Sequence, residues 1–219
     1  MTSRFENYPN KPQNTRLAGG YNILCYTHET CSSFLNIFDK SKNLDNLTAQ
    51  DQDLLRAILT FASAGLDSLV KQLIKDTLCE VICRYSGSEI MFKRHVERII
   101  MKGNEIDGKI LANAFISQEP KDYFISKVIW DLTSNSLQSK DELLKVASYF
   151  DIPSNILVSD LGVLKEIFDI RNQIVHEMDI DLSDPKHRRE RVETAMIIYT
   201  NELFKIAETF LNEVDSKLS

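Results

Sequence analysis

The chain has 219 residues, with 26 Lys and Arg against 32 Asp and Glu, giving a formal net charge of −6. That acidic balance excludes non-specific duplex binding over a broad basic face, although it leaves room for a local basic pocket. Gly (7) and Pro (5) are scarce beside usual shares of about 7% and 5%, so tight turns are few and an all-α fold is expected. The length suits one domain with additions and a sizeable core. No uninterrupted apolar run approaches the roughly 18 residues of a bilayer span. The opening MTSRFENYPNKPQNTR has no hydrophobic signal core. A cytoplasmic protein without a membrane partner is expected.

In chain order, Pro9, Pro12 and Gly19–Gly20 among polar residues predict an extended or disordered arm over 1–20. A short helix follows over 28–40, then a polar linker over 42–46. These make residues 1–45 an N-terminal arm and short helix, set apart from a helical domain over 46–219. Cys25, His28 and Cys31 form a C-x2-H-x2-C cluster. Its spacing fits no common zinc site and needs ligands from elsewhere, so no metal and no cofactor is expected.

Thr48 stands three residues before Asp51, the spacing of a capping box. From there Leu54, Leu55, Ile58, Leu59, Ala62, Leu66, Leu69, Val70, Leu73, Ile74 and Leu78 recur with helical period up to about residue 85. Gly65 marks a bend or a close helix contact, and Cys79 and Cys83 lie on one face. Ser86–Gly87–Ser88 stops this helix. Further helices are predicted over 88–102, 107–117, 120–132 and from Ser139 to about 150. The segment 103–155 reads as an inserted helical part. A helix from Ser159 carries residues 160–179. Asp184–Pro185 then reads as the cap and first residue of a long final helix.

Residues 160–179 carry two apolar stripes at about 100° per residue. Val163, Ile167, Ile170 and Ile174 form one; Leu161, Leu164, Phe168 and Val175 form the other. A surface helix needs one stripe, so this helix is expected to be covered on two sides. Arg171, Asn172 and His176 border the second face. A guanidinium there needs a partner or a ligand. Arg is shaped for a phosphate and His for proton transfer near neutrality, which together suit phosphodiester cleavage. The plainer reading has Arg171 bridging to Asp169, Glu177 or Asp179 and His176 capping the helix C-terminus.

The string Glu166-Ile167-Phe168-Asp169-Ile170-Arg171-Asn172-Gln173-Ile174-Val175-His176 resembles the hallmark of HEPN domains (higher eukaryotes and prokaryotes nucleotide-binding). That hallmark is an Arg, often followed by Asn, then a His after four to six residues. Residues 62–73 resemble the early helix of such domains, and the likeness extends loosely over 48–215. It implies a helical bundle of four or five helices that homodimerises, with additional helices here. It also implies a metal-independent endoribonuclease working in toxin–antitoxin, phage-defence or RNA-processing systems. The two motifs then meet across the dimer axis. Carried over, His176 exchanges a proton with the 2′-hydroxyl or the leaving 5′-oxygen, Arg171 holds the scissile phosphate, and Asn172 orients the phosphate or the dimer partner. Expected products are a 2′,3′-cyclic phosphate and a 5′-hydroxyl, and expected partners are RNA, a second copy of the chain, and an antitoxin or regulatory protein. Members controlled by nucleotidyl transfer carry a Tyr two residues after the His; Met178 stands there, so that control is not implied. The alternative class is a non-catalytic dimerisation, interaction or nucleotide-binding module.

Positive charge for RNA is expected from Lys186, His187, Arg188, Arg189 and Arg191, read as opening the final helix close to His176. The plainer reading is a solvated face; cations there oppose the helix dipole, which adds weight to a ligand-related reason for them. A second cluster is Lys93, Arg94, His95 and Arg98. Asp67 and Lys71 share a face as an intrahelical pair or as part of a cleft, the pair being favoured.

Overall fold

Thr48 starts the longest helix, α2 (Ala49–Arg84), through a complete capping box. Its hydroxyl accepts from the Asp51 N–H at 3.2 Å, and the Asp51 carboxylate accepts from the Thr48 N–H at 2.9 Å. The same carboxylate accepts from Ser41 at 2.7 Å, tying the end of the preceding helix to the start of α2. Hydrogen bonds from Thr48 and Ser41 hold the Asp51 carboxyl below its ordinary value. The computed structural model describes residue 5 and residues 8–42, 47–102 and 105–219. The fold is all-α, 77% helical.

The helix before α2 starts well before residue 28. It is α1 (Ala18–Ser41), preceded by a 3-10 turn at Thr15–Leu17. Gly19–Gly20, expected in an extended or disordered arm, lie inside it, because the bare Cα of Gly20 lets α1 settle on Leu73: a Cβ there would stand 3.0 Å from the Leu73 Cδ2. Gly65 does the same from α2, where an added Cβ would meet Thr27 Oγ1 and Cγ2 at 2.3 Å. It therefore marks a close helix contact. Residues 8–14 are extended yet fastened to the last helix, with the N–H groups of Gln13 and Asn14 donating to Asp215 at 2.7 and 2.8 Å. Most of the expected linker, 43–46, lies outside the described residues, as do Gly103 and Asn104.

After a break at Tyr85, α3 (Ser86–Ile100) leads into a two-stranded antiparallel pair, β1 (Met101–Lys102) and β2 (Glu105–Ile106). Ser86–Gly87–Ser88 therefore opens α3 instead of separating two helices. Asp107 caps α4 (Gly108–Ile116), Pro120 opens α5 (Pro120–Ser134), and Ser139 caps α6 (Lys140–Tyr149). A single turn, α7 (Ser154–Leu157), precedes α8 (Leu161–Glu177), and α9 (Glu193–Leu218) closes the chain.

The core is one cluster. Leu55, Leu59, Leu69 and Leu73 of α2 meet Leu24 and Phe38 of α1 and Phe210 and Leu211 of α9. Val128, Leu143 and Tyr149, from the segment read as an insertion, join the same cluster. By length and composition α2 alone among the described helices is apolar enough to cross a membrane, yet 50% of its most apolar 18-residue window is buried inside the protein. Its apolar sides are taken up by α1 and α9.

Asp184–Pro185 does not start α9, which begins at Glu193. Residues 180–191 form a strap instead. Asp184 closes a turn with Asp181 at 3.0 Å, Ile180 bridges Arg188, and the Arg189 N–H donates to the Asp179 carbonyl at 2.8 Å. These bonds satisfy backbone groups that a helix would otherwise pair. The five basic residues thus precede α9, and the dipole argument made for them does not apply.

Candidate active site

The Asp160 carboxylate accepts from the N–H groups of Gly162 and Val163 at 2.7 and 3.1 Å and sets the start of α8. Leu164, Ile167 and Phe168 enter the core, with Val163, Ile170 and Ile174 packed against it. The second stripe is covered only in its middle: Leu161 is 42% exposed and Val175 38%. The helix ends at Met178 and Asp179, both left-handed at φ 52° and 60°. Asp tolerates this region better than most residues.

Arg171 is half-buried. Its Nη1 donates to the Asn172 Oδ1 at 3.0 Å, and its buried Nε has no hydrogen-bond partner. Burial disfavours its charged form, and the Asp67 carboxylate acts in the opposite sense. Asp67 itself is occupied by Lys71 at 2.9 Å and by the Leu137 N–H at 2.7 Å, so the favoured Asp67–Lys71 pair forms. The bridges weighed from the sequence go elsewhere. Asp169 takes Lys165 at 2.6 Å, Glu177 takes Arg189 at 3.0 Å, and Asp179 takes Arg56 at 2.7 Å. Among the described residues Arg171 has no ion-pair partner. His176 is exposed in the last turn of α8, about 7.5 Å further along the axis.

Against models of known families, curated proteins and solved structures, the chain has no match. Its chemistry is read from its own residues.

Of the five basic residues in the strap, four are engaged within the chain. His187 meets Asp184 at 2.8 Å, Arg188 meets Asp53 at 2.6 Å, and Arg189 meets Glu177 at 3.0 Å. Arg191 donates to Asp179 and, at 2.9 Å, to the Gln173 Oε1. Lys186 is exposed and without an ion-pair partner among the described residues. In the second basic cluster, Lys93 pairs with Glu89 at 2.9 Å. His95 is buried between the Tyr149 hydroxyl at 2.5 Å and Asp131 at 2.9 Å, and Arg98 donates to that hydroxyl at 3.2 Å. Cys25, His28 and Cys31 are buried in the core. Among the described residues no group of three or more His, Cys, Asp or Glu is placed to hold a metal.

Arg56, and the clamp it forms with Asp179, were missed. Asp179 is 0% exposed, and its carboxylate accepts from Arg56 Nε at 2.7 Å and from Arg191 Nε at 3.0 Å. Arg56 also donates to the Arg189 carbonyl at 2.7 Å, so α2, the end of α8 and the strap are fastened at one point. The signal was Arg56 itself, a charge beside Leu55 and Ile58 in an apolar stripe. Beside this clamp lies an open groove of about 350 Å³ between Asp53, Thr60 and Phe61 of α2, Ile174 and Met178 of α8, and Arg188.

Proposed function

We propose that the chain is an endoribonuclease of the HEPN type that works as a homodimer, with Arg171 and His176 of each copy facing one RNA phosphate. The observation that supports this most is Arg171. Arg56 and Arg191 each have a carboxylate, whereas Arg171 has a partnerless N–H and no ion pair among the described residues. A buried guanidinium N–H without a partner is costly, and a phosphate matches the planar donor fork. Asn172 holds that fork from one side.

In this reading the 2′-oxygen attacks phosphorus and the bond to the 5′-oxygen breaks. Arg171 stabilises the charge that grows on the phosphoryl oxygens. His176 takes the 2′-hydroxyl proton or supplies one to the departing 5′-oxygen. A second copy covers Val175 and Leu161, the part of the apolar stripe that the chain leaves open. RNA cleavage in EDTA by wild type, Arg171→Ala and His176→Ala, with the mass in solution measured on the same samples, tests this reading. A cleaving dimer with two inactive variants supports it; equal cleavage by all three refutes it.

One observation favours a second reading, a non-catalytic interaction module. The strap arginines are satisfied within the chain, while Met178 and Leu182 beside the motif are exposed apolar residues. A protein that never cleaves RNA and buries Met178 and Leu182 against a partner protein would establish that alternative.

A further inference from the structure

Cys79 and Cys83 lie one turn apart on α2, and both are exposed. They are separate from the motif, since Cys79 stands about 18 Å along the α2 axis from Asp67 at a rise of about 1.5 Å per residue. Four residues apart on one helix, they face the same side. The first turn of α5 lies against them, and Lys121 Nζ reaches the Cys83 Sγ at 3.3 Å. Asp122, next to Lys121, also acts on Cys79. The buried thiols Cys25 and Cys31 sit at the α1 side of the core and have no such setting.

Geometry decides what such a pair can hold. A disulfide brings Cβ atoms to about 3.5–4.5 Å, but residues four apart on a helix keep them about 5–6 Å apart. Closing that bond would distort α2 in a stretch packed against the core. A bridging metal ion bonded to both thiolates holds the sulfurs further apart than the direct S–S bond of about 2.0 Å, which suits side chains one turn apart. Among the described residues no third His, Cys, Asp or Glu completes a set of three, so cations that want three or four protein ligands, zinc among them, are poorly served. Soft two-coordinate cations are not. Charge narrows the choice. A divalent cation with two thiolates is neutral, whereas a monovalent one leaves a single negative charge, and Lys121 is placed to balance it.

We propose that Cys79 and Cys83 form a two-coordinate site for a soft monovalent cation, copper(I), with Lys121 as its charge partner. Binding is an exchange without oxidation or reduction: two thiols and one copper(I) give the bis-thiolate complex and release two protons. Both thiols must lose their protons to bind, so copper binds more tightly as the pH rises.

The test is titration of the reduced full-length protein against the coloured copper(I)–bicinchoninate complex. Wild type is expected to withdraw one copper(I) per chain and to develop a thiolate-to-copper charge-transfer band. Cys79→Ser/Cys83→Ser, which keeps Cys25 and Cys31, is expected to withdraw none while keeping the wild-type circular dichroism. Lys121→Gln is expected to weaken binding about tenfold, the usual loss when a group supporting a metal's ligands is removed. Excess zinc(II) should leave the copper in place. Withdrawal by the double Ser variant, one copper per two chains, or displacement by zinc would each overturn the assignment.

Discussion

Replacing Asp179 by Asn keeps the side-chain volume and a residue that tolerates φ 60°, and it removes only the charge facing Arg56 and Arg191. The carboxylate accepts from Arg56 Nε at 2.7 Å and from Arg191 Nε at 3.0 Å and is fully buried. Breaking a buried ion pair by removing one partner costs about 3–5 kcal/mol. The lower end applies here, because Arg56 keeps Asp53 at 3.0 Å and Arg191 keeps Gln173 at 2.9 Å. The expected loss is about 3 kcal/mol, read by urea unfolding at pH 7. In a chain of this length that lowers Tm by about 6–12 °C. Acidity gives a second reading. Burial alone would raise the Asp179 carboxyl, but hydrogen bonds and charge from Arg191 and Arg56 bring it below its ordinary value. A depressed folded value means that the stabilisation is present above the unfolded value of about 3.9 and is lost as the pH falls through the folded one. Asp179→Asn should flatten that acid limb. A loss under about 1 kcal/mol, with an unchanged acid limb, would show that the clamp does not fasten the strap.

Other expected outcomes follow from single contacts. Gly65→Ala puts a Cβ 2.3 Å from Thr27; overpacking of that kind costs about 1–3 kcal/mol, and adding Thr27→Ala should recover part of it in thermal melts. His95 titrates below its ordinary value, chiefly through burial, with Asp131 opposing. The folded state then binds fewer protons than the unfolded one, so this contribution is whole above about pH 6.5 and declines below it. Unfolding measured from pH 8 to pH 5 should fall less steeply in His95→Gln than in wild type, and equal slopes would count against the reasoning.

Much of the helical order was legible because periodicity and caps are local. The Thr48 box, Asp107, Pro120 and Ser139 each stand where the sequence predicts an element to open. The failures share a cause: tertiary contacts overrode local signals. Gly19–Gly20 reads as part of an extended or disordered arm, yet these glycines allow α1 to approach α2. Asp184–Pro185 reads as a helix start, yet the strap's bonds to Asp179 and Gln52 satisfy that stretch outside any helix. At the site, the positions of Arg171, Asn172 and His176 on one helix could be read from spacing. Lys165 and Asp169 stand four apart on the same helix, so that pair too could be read from spacing; that Glu177 and Asp179 are taken could not, since it depends on Arg189 and Arg56 reaching them in three dimensions.

The central claim is that Arg171 and His176 cleave RNA, and the rate and end groups of cleavage test it most directly. An RNA incubated in EDTA with wild type should yield fragments ending in 2′,3′-cyclic phosphate. His176→Ala should be slower by about 10²–10⁴, the usual contribution of a positioned acid or base, with unfolding unchanged because His176 is exposed. Cleavage by His176→Ala at the wild-type rate, or fragments with other ends, would contradict the account.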